Sequence, residues 1–222
     1  MPSFFAEQAG GRVTITGADA RHLARSLRAR AGERIEVIDP AGRLLTVRLD
    51  VISPDRVEGV VVAERPHQPE PTAKITIAIA NLPAPALELV LSRCTEAGAH
   101  AFHVFQAERS VARGAKLERW GTICREAAML AGRLRSPEVD AFASLDAVLK
   151  ASEDAVMLVR DAPQALAKLT SPRDLTLLVG PEGGWSEREL AAVPTKAGLG
   201  PRNLRADTAA LVGLSVALAL RE

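Results

Sequence analysis

The chain has 222 residues, enough for one large domain or two modest ones that each bury a core. Hydrophobic content of 47% and charged content of 25% match an ordinary globular protein, while 3% aromatic residues and no Tyr argue against single-strand binding on aromatic platforms. A net charge of +1 excludes a global basic field, so any nucleic-acid contact must come from local patches, nearly all of them Arg.

In chain order, Met1-Pro2-Ser3-Phe4-Phe5 lacks the basic and apolar regions of a signal peptide. The last apolar run, from Ala206 to Leu220, is too short to span a bilayer and contains Asp207, so a cytoplasmic protein away from membranes is expected. Residues 1–68 read as a small β domain, with alternating runs at 12–15, 34–38, 45–49 and 57–62. One helix, from about Ala18 to Ala29 and ended by Gly32, interrupts them. Ala20, Leu23, Ala24 and Leu27 form its apolar stripe, and Arg21, Arg25 and Arg28 line up beside it. Those arginines read either as a solvated flank or as a phosphate-contacting ridge.

The Pro-rich stretch 66–71 is a stiff, extended boundary, and residues 72–222 form the second domain. Strands are expected at 75–79, 102–105, 156–159 and 175–179. Helices fall at about 85–97, stopped by Gly98, and along Leu117, Trp120, Cys124, Ala127 and Ala131, ended by Gly132; a short one precedes the last strand. Strand and helix alternate, which predicts an α/β domain with a mostly parallel sheet. Cys94 and Cys124 sit inside helical patterns without a CxxC pair, so neither a disulfide nor a metal site is expected.

The chemistry concentrates where the last strand enters Gly180-Pro181-Glu182-Gly183-Gly184-Trp185. Ser186 and Glu189 then form a capping box that starts a helix. Three glycines, a Pro and a carboxylate in five residues exceed what a turn needs, and the carboxyl edge of a parallel strand is where open α/β sheets bind ligands. The loop has no Lys-hydroxyl pair for a phosphate, and Glu182 would repel a pyrophosphate. A ligand with ribose hydroxyls and a positive centre, such as S-adenosylmethionine, suits it better. A second Gly-Pro turn at 199–209 leads into a helix that is apolar on every face, with Asp207 or Thr208 as its cap.

These residues resemble a family. Gly180-Pro181-Glu182-Gly183-Gly184, followed by Leu199-Gly200-Pro201-Arg202 and by Leu204-Arg205-Ala206-Asp207-Thr208-Ala209, is similar to the carboxy-terminal signature of the RsmE family, the 16S rRNA uracil-N3 methyltransferases of the SPOUT class. Thr95-Glu96-Ala97-Gly98, Glu108-Arg109-Ser110-Val111, Arg119-Trp120 and Gly132-Arg133 resemble its central motifs, and His22-Leu23 through Gly32 its amino-terminal PUA-like domain. The pattern departs at Ser3, Ala84, Arg93, Leu130, Ala131 and Asp207.

The resemblance implies a small PUA-like β-barrel followed by an α/β SPOUT domain with a trefoil knot. It also implies S-adenosylmethionine as cofactor, a homodimer, and 16S rRNA as partner, within the small ribosomal subunit. The expected cofactor wall is Leu178, Val179, Gly180, Glu182, Gly183, Gly184, Leu199, Gly200, Leu204, Arg205 and Ala206. Arg133 and Arg205 would stabilise charge on the uracil oxygens, with Asp207 either general base or helix cap. Arg21, Arg25, Arg28 and Arg109 are the candidate RNA contacts, Arg109 alternatively an ion-pair member. A non-catalytic RNA-binding or ribosome-assembly factor, or a SPOUT enzyme with another RNA target, are the other functions open to this sequence.

Overall fold

Alternating apolar and polar residues give each amino-terminal strand one inward face, and the computed structural model pairs them accordingly. It describes residues 3–152, 154–169 and 174–221; Met1 and Pro2 of the signal-peptide reading lie outside the described residues. The chain forms two units, Met1–Glu70 with Ala128–Ser136, and Pro71–Ala127 with Pro137–Glu222.

In the first unit β1 (Phe4–Phe5), β2 (Gln8–Ala9), β3 (Arg12–Thr16), β4 (Arg34–Asp39), β5 (Arg43–Ile52) and β6 (Arg56–Pro66) form one sheet in the order β1-β4-β5-β6-β3-β2. All neighbours are antiparallel except β1 and β4. The outer strands β1 and β2 are separated by only Ala6 and Glu7, a reach of roughly 10 Å, so the sheet must curl toward a barrel. Its inward residues, among them Phe4, Val13, Ile35, Val37, Leu45 and Val47, make one core.

The helix of this unit is shorter than its apolar stripe predicts. α1 (Gly17–Arg21) continues as a π-helical turn, His22–Ser26, and Leu27 N–H donates to the His22 carbonyl at 3.0 Å. Arg28 then adopts a left-handed φ of 52°, and Ala29 N–H closes the end on the Leu23 carbonyl at 3.0 Å. The stop therefore falls at Arg28, not Gly32. Leu27 is 37% exposed because the π turn rotates it off the apolar stripe.

In the second unit six parallel strands take the order β12-β10-β11-β7-β8-β9. They are β7 (Ile75–Ala80), β8 (Ala101–Phe105), β9 (Glu138–Phe142), β10 (Ala155–Leu158), β11 (Leu175–Val179) and β12 (Lys196–Ala197). Among the described residues, five α-helices connect or cover them: α2 (Ala84–Glu96), α3 (Leu117–Ala131, whose last residues from Ala128 belong to the first unit), α4 (Leu145–Lys150), α5 (Glu187–Ala192) and α6 (Ala206–Ala219). Period-two alternation sends Ile75, Ile77, Leu175 and Leu177 into a core with α2 and α6. Ala78, Met157 and Leu178 point to the other face, against Leu145 and Val148 of α4. No described helix is long and apolar enough to cross a membrane.

Candidate functional site

Three parallel strands end side by side, and the loops that leave them enclose one cavity of about 720 Å³. Residues 158–161 come from the end of β10, 179–182 with Gly184 and Trp185 from β11, and 199–200 with 202–206 from the segment between β12 and α6. This is the carboxyl edge of the sheet, where strand ends leave room for a ligand.

The β11 loop owes its shape to local constraints. Gly184 has a φ of +71°, and its N–H donates to the Pro181 carbonyl at 2.9 Å. A Cβ on Gly180 would lie 2.8 Å from the Trp185 ring, so only glycine lets the indole fold back over the turn. Trp185 Nε1 donates to the Leu158 carbonyl at 3.0 Å, and its ring stacks on Phe105 at 6.1 Å with a 7° interplanar angle. One side chain thus ties the β11 loop to the β10 loop. The capping box closes the far side: Ser186 Oγ accepts from Glu189 N–H, and Glu189 Oε2 accepts from Ser186 N–H.

The walls are mixed. Leu158, Val179, Leu190, Leu199, Leu204 and Ala209 are apolar, while Glu182, Arg202 and Arg205 add charge and enter no ion pair among the described residues. Arg160 and Asp161 pair with each other at 2.7 Å, which holds the Asp161 carboxyl below its ordinary value. Among the described residues, no lysine lines the space.

The structure brings together Val179, Gly180, Glu182, Gly184, Leu199, Gly200, Leu204, Arg205 and Ala206. Two other expected wall residues lie elsewhere. Leu178 is fully buried on the opposite face of β11, as alternation requires once Val179 faces the α6 side. Gly183 sits against Arg109, whose Cβ would be 3.2 Å from a Gly183 Cβ and whose Nη1 donates to the Gly183 carbonyl at 3.3 Å.

Asp207 is not the helix cap. Arg205 occupies that position without a side-chain cap bond, and Asp207 Oδ1 accepts from Thr208 N–H at 2.7 Å inside the first turn. Arg133 is 3% exposed in the first unit, where its guanidinium makes two hydrogen bonds to the Glu70 carboxylate. Arg21, Arg25 and Arg28 are all exposed, but the π turn and the left-handed Arg28 break their alignment. Sequence reasoning missed the β10 loop, although Val159-Arg160-Asp161-Ala162-Pro163 after an apolar strand is itself a turn signal.

The RNA methyltransferase domain family matches residues 68–218, and an RNA methyltransferase PUA domain matches residues 15–62. The ribosomal RNA small subunit methyltransferase E of Bacillus subtilis is 32% identical over 91% of this chain and 88% of its own length. Its Synechocystis counterpart is also 32% identical, over 95% of this chain and 74% of its own. A crystal structure of ribosomal RNA small subunit methyltransferase E from Neisseria gonorrhoeae, bound to S-adenosyl methionine, is similar with a TM-score of 0.87 and 28% identity, covering 96% of this chain and 95% of that one. Matched along nearly its whole length by such relatives, the chain belongs to the ribosomal RNA small subunit methyltransferase E family.

Proposed function

We propose that this chain transfers the methyl group of S-adenosylmethionine to N3 of a uridine in 16S ribosomal RNA, acting as a homodimer on the small subunit. The observation that carries this reading is the cavity at the ends of β10, β11 and β12 in a chain of this family. Its volume of about 720 Å³ lies within the ~300–1,000 Å³ of small-molecule pockets. Apolar walls at Leu158, Leu199 and Leu204 suit a purine, and the Glu182 carboxylate suits ribose hydroxyls or a cationic centre. S-adenosylmethionine, when bound, supplies an electrophilic methyl group.

The residues then have to bind, orient and exclude water. Backbone groups of Gly180, Gly184 and Gly200, which line the cavity, would hold the cofactor, and Trp185 fixes the two loops at one spacing. Uracil N3 lies on the Watson–Crick edge, so the base must leave its stack. Arg205 stands at the positive end of α6, where guanidinium and helix dipole together would stabilise the negative charge left on the uracil oxygens as the N3 proton passes to water and the methyl group takes its place. We assign Arg133 to fastening the first unit through Glu70 rather than to the reaction.

Calorimetric titration should show S-adenosylmethionine binding; none at millimolar cofactor would sink the enzyme reading. Small subunits lacking the modification, incubated with protein and cofactor, should yield a nucleoside methylated at uracil N3 by mass spectrometry. Cofactor binding without that product would favour an RNA-binding factor that kept the fold.

A further inference from the structure

The loop between β8 and α3 is anchored from several sides yet carries a bare hydrophobic side chain. Val111 is 82% exposed, whereas the neighbouring Ser110 is 3% exposed. Single exposed valines are common on protein surfaces and mean nothing alone. This one stands on a backbone held in place. Arg113 Nη1 donates to the Ser110 carbonyl at 2.7 Å, Asn81 Nδ2 to the Gly114 carbonyl at 3.0 Å, and Ser110 N–H to the Ala107 carbonyl at 3.1 Å.

The same loop is bolted to the β11 loop. Arg109 donates to the Gly183 carbonyl, Glu108 N–H donates to Glu189 Oε1 at 3.1 Å, and Glu108 pairs with Arg188. The Ser186 hydroxyl and the Arg188 guanidinium hold the Glu108 carboxyl below its ordinary value. The one acid of the loop is thereby kept ionised and held on Arg188, which it shares with Asp146. Arg109 and Arg113, both exposed, flank Val111 in the chain, and Arg113 also donates to the carbonyls of Ser110 and Ala112 on either side of it.

An anchored apolar tip flanked by two cations, tied to the loop that walls the cavity, has the chemistry of an insertion wedge. Cations hold the phosphates while an apolar side chain enters a base step and fills the space of a displaced base. We infer that Val111 is such a wedge, entering the RNA stack as the target uridine turns toward the cavity. This rests on the methyltransferase reading above. The bonds to Gly183 and Glu189 give the wedge a constant distance from the cofactor wall, so insertion and base capture occur at one register.

The test compares wild type with Val111→Ala, which removes an exposed side chain and leaves the fold and the cavity intact. Two substrates are used: small subunits lacking the modification, and a short unstructured oligonucleotide carrying the same uridine. The variant should lose about tenfold or more in kcat/KM on the structured substrate, because unstacking is no longer compensated. It should match wild type on the unstructured one and in calorimetric S-adenosylmethionine affinity. Equal activity on both substrates, or an equal loss on both, would overturn the wedge. Should wild type methylate neither substrate, the methyltransferase reading is what fails. The wedge is then decided by 2-aminopurine fluorescence in a structured small-subunit RNA fragment at matched occupancy: a rise with wild type but not with Val111→Ala supports it, and equal signals overturn it.

Discussion

Gly180 shows how one missing carbon shapes the site. In Gly180→Ala the new Cβ would meet the Trp185 ring at 2.8 Å, and the indole can yield only by giving up its bond to the Leu158 carbonyl. That separates two of the three cavity loops. We expect S-adenosylmethionine affinity to drop about tenfold to a hundredfold by calorimetry, roughly 1.4–2.8 kcal/mol, with little change in global stability. Unchanged affinity would mean that Trp185 does not set the loop spacing. Arg28 poses the opposite case, since its left-handed backbone costs about 1 kcal/mol relative to glycine. Arg28→Gly should therefore stabilise the first unit by about that amount in urea denaturation. If Arg28 is held there for phosphate, the variant should also lower the slope of log affinity against log salt by about 0.7–0.9. Glu70 and Arg133 form a partly buried pair. Burial disfavours Glu70 ionisation, but hydrogen bonding and charge from Arg133, with the Leu134 N–H, hold its carboxyl below the ordinary value. A depressed folded pKa contributes stability that is complete above the unfolded value near 4.5 and is lost as pH falls through the folded one. Glu70→Ala should cost about 1–3 kcal/mol at neutral pH by removing a carboxylate that accepts from Arg133 and Leu134, and should flatten the acid side of the stability profile. Hydrogen exchange in 128–136 reports it locally; unaltered protection there would refute the assignment of Arg133.

At the scale of elements, the sequence was readable where one local rule dominates. The Ser186–Glu189 capping box predicted the start of α5, and both reciprocal bonds are present. Ser186→Ala should cost about 1 kcal/mol of stability and release Glu108 from one of its two partners, weakening the tie between the β8 and β11 loops. Thermal denaturation and methylation kinetics on structured RNA read the two effects separately; loss of neither would make the box ornamental. Local rules failed where packing competes with propensity. The stripe Ala20, Leu23, Ala24, Leu27 promised a regular helix to residue 29, but the chain inserts a π turn and ends at Arg28. β9 was not seen because an edge strand pairs on one side only, so Glu138 and Asp140 are admissible in it. Asp207 looked like a cap by residue type, yet the turn at 200–205 placed Arg205 there, a geometry that residue preference does not encode.

For the molecule as a whole, the sheet was legible from apolar runs, but strand order was not, because β11 reaches its place between β7 and β10 through contacts far apart in sequence. The site was half legible for the same reason. Two of its three loops carry glycine signatures, while the third, at 158–161, joins them only through the parallel pairing of β10 with β11 and β12. α6 carries the question of assembly. It buries Ala206, Ala210, Gly213, Leu214, Ala217 and Leu218 against the sheet and α2, while Val212 remains 36% exposed and Leu220, just past the helix end, 50% exposed. An almost wholly apolar helix with one open side supports a second copy as its cover, and α6 begins in the cavity wall, so that cover would also bear on the site. Val212→Glu should then shift the mass by light scattering from twice that of the chain to that of a single chain, since a carboxylate on this face cannot be desolvated without a partner. Val212→Ala should stay dimeric at micromolar concentration, which separates a lost interface from a lost fold. If the subunits cooperate in catalysis, methylation should fall with the dimer fraction across a dilution series. A monomeric Val212→Glu protein with undiminished methylation would show that one chain suffices.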